Sequence, residues 1–266
     1  MTEDFSCPAG LLSHAVDDRH MAEAYEALGA KPRATLKKCI ARLHRFWGES
    51  PKRSLLLRTP AEGFCVERED VPADFALIVC AADYSHPTAF LAAIMPAVLA
   101  GVPAVLPLFI HRETPGNDAS PQSDTLPCFP LLAALELAGV ERAFALDEAA
   151  ALAALRELQT DRGRLLFIGE RPFGDSLALY AHQSGMLFRS LLQPPRYHSE
   201  RLGRIAKPVF VTEDSFGAAA EGCSAASGEP SLLLGPDQED LWFWPDLEPA
   251  WFRLYRARLS NGARAL

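Results

Sequence analysis

Phe75–Ala81 reads FALIVCA, and Pro87–Gly101 reads PTAFLAAIMPAVLAG. An uninterrupted apolar run of strand length is typical of a strand buried on both faces, and the small-residue segment after it predicts a helix that ends at its glycine. Val102–Leu108 predicts a second strand directly afterwards. A strand, a helix and another strand in this order indicate an α/β fold built on a parallel sheet.

The alternation continues along the chain. Helices are predicted at 129–138, with Gly139 as the stop, and at 147–158, while strands are predicted at 142–146 and 164–168. We therefore expect a three-layer αβα Rossmann-like sandwich with a mostly parallel sheet and right-handed crossovers. Ligands of such a fold bind at the carboxyl ends of the strands.

The flanking segments complete the predicted organisation. Apolar spacing predicts helices at 11–28 and 32–47, so we divide the chain into an N-terminal helical segment, residues 1–50, and an α/β Rossmann-like domain, residues 51–266. Leu55–Arg58 and Phe64–Val66 are expected to pair as a hairpin. A last helix is predicted over Pro249–Leu259, sealed onto the sheet by the tryptophans at 242, 244 and 251.

Composition excludes several classes of function. With 26 Lys and Arg against 34 Asp and Glu, the net charge of -8 argues against nucleic acid and anionic membranes as partners. The long apolar stretch Phe90–Ile110 is broken by three prolines, so it does not predict a membrane span. The acidic start lacks the features of a secretion signal, and a cytoplasmic location is expected.

The 6 cysteines and 7 histidines are scattered, without a Cys-x-x-Cys or His-Glu-x-x-His spacing. Local sequence therefore offers no ligand cluster for a metal, and no zinc is expected.

Several phrases resemble the NAD-binding half of histidinol dehydrogenase, within the aldehyde dehydrogenase-like superfamily. They are Ser85–Thr88, Met95–Leu106, Leu135–Val140 and Leu166–Gly169 in the middle third of the chain, followed by Gly228–Leu234, which is similar to a glycine-proline-serine strand of that family. The resemblance implies the fold. It also implies NAD as the cofactor, and an NAD-linked oxidoreductase acting on a small alcohol or an activated carbonyl is one reading of the function.

The resemblance stops before the catalytic and zinc-ligand segment of that family. Leu259–Gly262 stands where the family carries a Gln-Ala-Glu-His segment, so the zinc ligands and the glutamate-histidine acid/base pair have no counterpart. We therefore favour a degenerate domain that binds a small-molecule ligand or a protein partner. N-terminal helices take part in subunit contacts in that family, which favours a homodimer.

Two turns are the expected cofactor contacts, although neither carries a Gly-x-Gly-x-x-Gly or Walker pattern. In the first, Asp83, Ser85, His86 and Thr88 follow the first strand, and the start of the next helix offers unpaired amides. Alternatively, Ser85 only caps that helix.

The second turn runs from Gly169 to Gly174, where the family has a nucleotide-contacting Gly-Pro-Gly-Asn turn. Here Arg171 would attract a pyrophosphate and Glu170 would repel it. Both turns follow parallel strands, so we expect one site bounded by residues 83–88, the 112–127 loop and residues 169–174.

Two residues are candidates for catalysis. Cys223, in a Gly-, Ala- and Ser-rich setting, is similar to the cysteine turn of aldehyde dehydrogenases, whose thiolate attacks a carbonyl carbon; a surface loop has the same composition. His111, at the end of a predicted strand, has the chemistry of an acid or base. The polar 112–127 loop after it is read either as a lid or as surface filler.

Overall fold

The computed structural model describes residues 5–51, 53–58, 64–81, 84, 86–111, 126–158, 161–169, 173–192, 242–244 and 247–261. The helices are α1 Ala9–Leu12, α2 Asp18–Ala27, α3 Ala30–Trp47, α4 Pro87–Leu99, α5 Phe129–Ala138, α6 Glu148–Glu157 and α7 Phe173–Ser184. The strands are β1 Ser54–Arg58, β2 Phe64–Pro72, β3 Phe75–Ala81, β4 Val105–Ile110, β5 Phe144–Leu146, β6 Gly163–Gly169, β7 Leu187–Leu192 and β8 Arg253–Asn261.

Strand β3 is the centre of a five-stranded parallel sheet with the order β5-β4-β3-β6-β7. Its residues from Phe75 to Cys80 are all buried, because neighbouring strands flank it and helices cover both faces. An apolar residue is favoured at every such position, which is why the sequence shows a continuous run rather than an alternation. The predicted Rossmann-like αβα architecture is confirmed.

Two hydrophobic clusters form the layers on either side of this sheet. The first joins α4 and α5 to one face and includes Met21 of α2 and Leu36 of α3, so these N-terminal helices share that core. The second joins α6 and α7 to the opposite face. Helix α4 is buried at nearly every position, enclosed between the sheet and the other helices. In the described part of the chain, no helix is both long enough and apolar enough to cross a bilayer.

Local signals fix several boundaries. Gly139 ends α5 in a left-handed conformation with φ 69°, and Asp147 caps α6 by accepting a hydrogen bond from the Ala150 amide at 2.7 Å. Strand β4 begins three residues later than predicted, because Gly101 with φ 78° directs the chain into a turn first. Strand β7, which was not predicted, pairs in parallel with β6.

The expected helix over residues 11–28 is wrong as one element. Ala15 instead forms an antiparallel bridge with Phe144 of β5, and the amide of Val16 donates to the Ala143 carbonyl at 2.8 Å. Asp17 then starts α2 afresh, since its side chain accepts from the Arg19 amide at 2.9 Å. The hydrogen bonds that tie this segment to the sheet outweigh the tendency of its apolar spacing to form one continuous helix.

A second, antiparallel sheet has the order β1-β2-β8. The predicted hairpin of β1 and β2 is confirmed, with Arg58 opposite Val66. The predicted helix over 249–259 is wrong: Pro249–Phe252 is a short 3-10 turn, and the chain continues as β8. Pairing with the full length of β2 satisfies the backbone of a segment that otherwise has good helix formers.

Candidate active site

The strand order reverses its direction of growth between β3 and β6. From β3 the chain adds β4 and β5 on one side, and it then returns to place β6 and β7 on the other. The connections after β3 and β6 therefore leave on opposite faces, so a crevice opens at the carboxyl ends of these two strands. The described residues that border it are Tyr84 and His86 ahead of α4, Gly169 at the end of β6, and the start of α7.

His86 and Tyr84 form the described wall of the crevice next to β3. Their rings meet edge to face with centroids 5.0 Å apart. Burial lowers the pKa of His86 to about 4. Burial, followed by the neighbouring Cys80, raises the pKa of Tyr84 well above its ordinary value. Both rings are therefore neutral at neutral pH.

Cys128 brings the connection after β4 to the same wall. Its thiol donates to the Tyr84 carbonyl, with Sγ and O 3.5 Å apart. Burial raises the pKa of the Cys128 thiol, against two backbone hydrogen bonds that lower it. The residue after β3 and the start of α5 therefore meet at the Tyr84 carbonyl, and the sulfur between them is a thiol rather than a thiolate at neutral pH.

The first turn of α4 is enclosed. His86 is the N-cap residue, rather than Ser85 as the alternative interpretation had it, because Pro87 takes the first helical position. Thr88 is only 2% exposed, and its carbonyl lies 3.8 Å from the Cys39 Sγ of α3. The Trp244 indole donates to the Ala89 carbonyl at 2.9 Å. Thr88 thus lies in the helix-packed interior rather than on an open surface.

The other side of the crevice is the end of β6 and the start of α7. Gly169 closes the strand opposite Leu192 of β7. At Gly174 a Cβ would come within 2.8 Å of the Phe167 ring, so the absence of a side chain lets α7 pack directly on β6. This close helix–strand approach gives Gly174 a packing role.

The remaining sequence candidates fall in two groups. His111 lies half-buried directly after β4, and its amide donates to the Leu146 carbonyl of β5 at 3.1 Å. It is therefore at the same edge of the sheet, on the far side of β4 from the crevice. Asp83, Ser85, Arg171 and Cys223 lie outside the described residues.

No three His, Cys, Asp or Glu side chains are grouped to hold a metal ion within the described ranges.

Sequence reasoning missed Tyr84 and Cys128. The prediction named His86 and the Ser and Thr hydroxyls of this turn but passed over Tyr84, the ring that lies against His86. Cys128 is the N-cap residue of α5 and precedes a proline in the first turn, which marks it as the point where the loop returns to the sheet. The position of this cysteine, directly before the predicted helix at 129–138, is the sequence signal that could have identified it.

The fold is shared with a known dehydrogenase. Histidinol dehydrogenase from Elizabethkingia anophelis matches with a TM-score of 0.53 and 13% identity, over 69% of this chain and 40% of that chain. This chain therefore spans less than half the length of that enzyme. At this identity the similarity establishes the fold.

Two further structures match less closely. A putative aldehyde dehydrogenase from Bacillus subtilis has a TM-score of 0.39 and 12% identity, covering 67% of this chain and 45% of that chain. The indole-3-acetaldehyde dehydrogenase AldA of P. syringae, in complex with NAD+ and IAA, has a TM-score of 0.37 and 16% identity, covering 91% and 56%. No protein-family model and no curated protein matches the sequence.

Proposed function

We propose that this protein is a ligand-binding domain of dehydrogenase fold, which takes NAD or a similar small anionic ligand at the β3/β6 crevice and lacks the zinc-dependent catalysis of histidinol dehydrogenase. The observation that carries the proposal is the neutral character of the described wall. Burial lowers the pKa of His86 to about 4, and it raises the pKa values of Tyr84 and Cys128, whose ordinary values already leave them uncharged at neutral pH.

General acid–base catalysis is most effective when the pKa of the catalytic group lies near the working pH. An imidazole with a pKa of about 4 is a weak base at pH 7, and a protonated thiol is a weak nucleophile. Neutral rings and amides are instead well suited to hold a ligand by stacking and hydrogen bonding. The proposed site therefore binds without supplying a proton-transfer group from these three residues.

Calorimetric titration with NAD and with NADH tests the binding half of the proposal. Arg171→Glu places a carboxylate in the segment between β6 and α7, and we expect it to weaken NAD binding about tenfold or more through repulsion of the pyrophosphate. Arg156→Glu is the matched control, because Arg156 lies exposed in the last turn of α6, at the opposite edge of the sheet. Absence of binding at millimolar NAD, or equal losses in both variants, would contradict the proposal.

The alternative is an NAD-linked oxidoreductase, which the fold shared with histidinol dehydrogenase favours. In that case Cys223 or His111 would serve an altered site. Absorbance of NADH during incubation with NAD and a panel of small alcohols or aldehydes distinguishes the two readings. Turnover that is lost in Cys223→Ser or His111→Gln, with NAD affinity retained, would establish the enzyme and refute the noncatalytic reading. One zinc per purified chain would refute the expected absence of zinc.

A further inference from the structure

A second cleft lies at the opposite, amino-terminal edge of the parallel sheet. Its walls are the start of β6, the start of β7, the 3-10 turn at 249–252 and the start of β8, and it encloses about 570 Å³. That volume is within the range of small-molecule sites. Nothing proposed for the β3/β6 crevice involves this edge.

Arginine dominates the cleft. Arg162, Arg164, Arg253 and Arg256 line it, and Arg189 lies beside it with its guanidinium 5.3 Å from the Trp251 ring centre. Asp161 is the single acidic residue among the lining residues. A concentration of guanidinium groups is notable in a chain whose net charge is -8.

Two of the four arginines are neutralised by carboxylates. Arg162 forms a two-pronged ion pair with Asp74, at 2.6 and 2.8 Å. Arg253, which is 3% exposed, pairs with Asp70 at 2.6 Å and also donates to the Ala100 carbonyl at 2.9 Å. These pairs fix both side chains in place, so they form rigid walls of the cleft.

Arg164 and Arg256 have no carboxylate partner within the part of the chain that the structure describes. Arg164 is 3% exposed and donates only to carbonyls, those of Gly163, Trp251 and Arg253. Burial lowers the pKa of Arg164, with Asp161 acting in the opposite direction. The cleft therefore holds positive charge that the protein leaves only partly compensated.

Arg256 is the exposed member of the set. It stands directly opposite Glu69 on β2, but the Glu69 carboxylate is already bound to Arg53 at 2.8 Å. Trp251 lines the same cleft, whereas Tyr255 precedes Arg256 on the strand, so its side chain leaves on the other face, with the Arg68 guanidinium 4.9 Å from its ring centre. A planar group can stack on an indole while an anionic group meets the guanidinium.

We propose that this arginine cleft binds a small organic anion, a phosphate or carboxylate attached to a planar apolar body, at the edge of the sheet opposite the proposed NAD site. The guanidinium of Arg256 contacts the anionic group. The backbone-anchored guanidiniums of Arg164 and Arg253 supply the field around it, and the Trp251 indole receives the planar body.

Phenyl phosphate is a suitable probe. Inorganic phosphate and phenol test its anionic part and its planar part separately. Calorimetric titration at low salt should show binding of phenyl phosphate at millimolar concentration or below, weaker binding of inorganic phosphate, and none of phenol. Raising the salt to 0.5 M should weaken the binding, since exposed charges are screened. Saturating NAD should leave it unchanged, because the two sites lie at opposite edges.

The variant Arg256→Gln should weaken phenyl phosphate binding about tenfold, the loss expected for one charge-assisted contact. Arg258→Gln is the matched control. Arg258 lies on the same strand and the same face, is also exposed, and stands opposite Glu67 as Arg256 stands opposite Glu69, but it does not line the cleft.

Four results would overturn the proposal. Three of them are no binding of phenyl phosphate to the unmodified chain, inorganic phosphate bound as tightly as phenyl phosphate, and equal affinities in the Arg256→Gln and Arg258→Gln variants. Competition by NAD would also overturn it, since it would assign both ligands to one site.

Discussion

Lowering the pH from 7 to 5 should destabilise the folded protein through His86. The folded pKa of this imidazole is about 4, against 6.5 for an unperturbed histidine, and burial is the cause. Between these two values the unfolded chain binds a proton at His86 that the folded chain does not bind. The stability tied to the neutral ring is therefore present above pH 6.5 and is lost as the pH falls toward 4.

The linkage relation gives the size of the effect. For a group with these two pKa values, the free energy of unfolding at pH 5 is about 2 kcal/mol lower than at high pH. The ring of His86 is only half-buried, and water screens part of the cost. We therefore expect His86 to account for about 1 to 2 kcal/mol of the loss between pH 7 and pH 5.

Urea unfolding at pH 7, 6 and 5, followed by circular dichroism, measures this loss. His86→Asn should lose about 1 to 2 kcal/mol less than the unmodified chain over this range. His182→Asn, at an exposed position near the end of α7, is the control and should behave like the unmodified chain. An equal loss in the two histidine variants would refute the reasoning, as would an NMR titration of the unmodified chain in which His86 protonates near pH 6.5.

Three further substitutions have outcomes that urea unfolding can measure. Gly163→Ala would place a Cβ 2.3 Å from the buried Phe75 ring, so we expect a cost of about 1 to 3 kcal/mol, most of which Phe75→Leu should relieve in the double variant. Additive costs would contradict this clash. Asp70→Asn leaves the Arg253 cation buried without its carboxylate and should cost about 3 kcal/mol. Asp74→Asn removes a partly exposed ion pair and should cost about 1 kcal/mol or less. Equal costs for the two aspartates would show that burial does not decide the strength of these pairs.

The central sheet could be predicted from the sequence because the burial of its strands appears directly as continuous apolar runs. Strand β3 is covered on both faces, so every position selects an apolar residue. Gly139 and Asp147 mark helix ends through backbone conformation and a side-chain hydrogen bond that involve only neighbouring residues. Signals of this kind do not depend on the rest of the fold.

Strand β8 could not be predicted in the same way. Its arginines, leucines and alanine favour a helix locally, and they form a strand because β2 offers a full-length partner with Glu67 and Glu69 opposite Arg258 and Arg256. The contact of Cys128 with the Tyr84 carbonyl could not be predicted either, because the two residues lie far apart in the sequence and meet only in the folded chain. The sheet and its carboxyl edge were predictable, whereas the contact between Tyr84 and Cys128 at that edge was not.

The pairing of β2 with β8 also determines how late the small antiparallel sheet can form while the chain is being synthesised. Arg253 and its partner Asp70 are separated by 183 positions in the sequence, so β2 leaves the ribosome long before the strand that completes its sheet. Until then, β1 and β2 form at most a two-stranded hairpin, which is marginally stable in water, and Leu55, Leu56 and Leu57 are exposed even in the finished fold. Contacts between such distant segments form slowly. The small sheet is therefore a late step of folding, and the edge of β2 that receives β8 stays unpaired until nearly 200 residues have followed it.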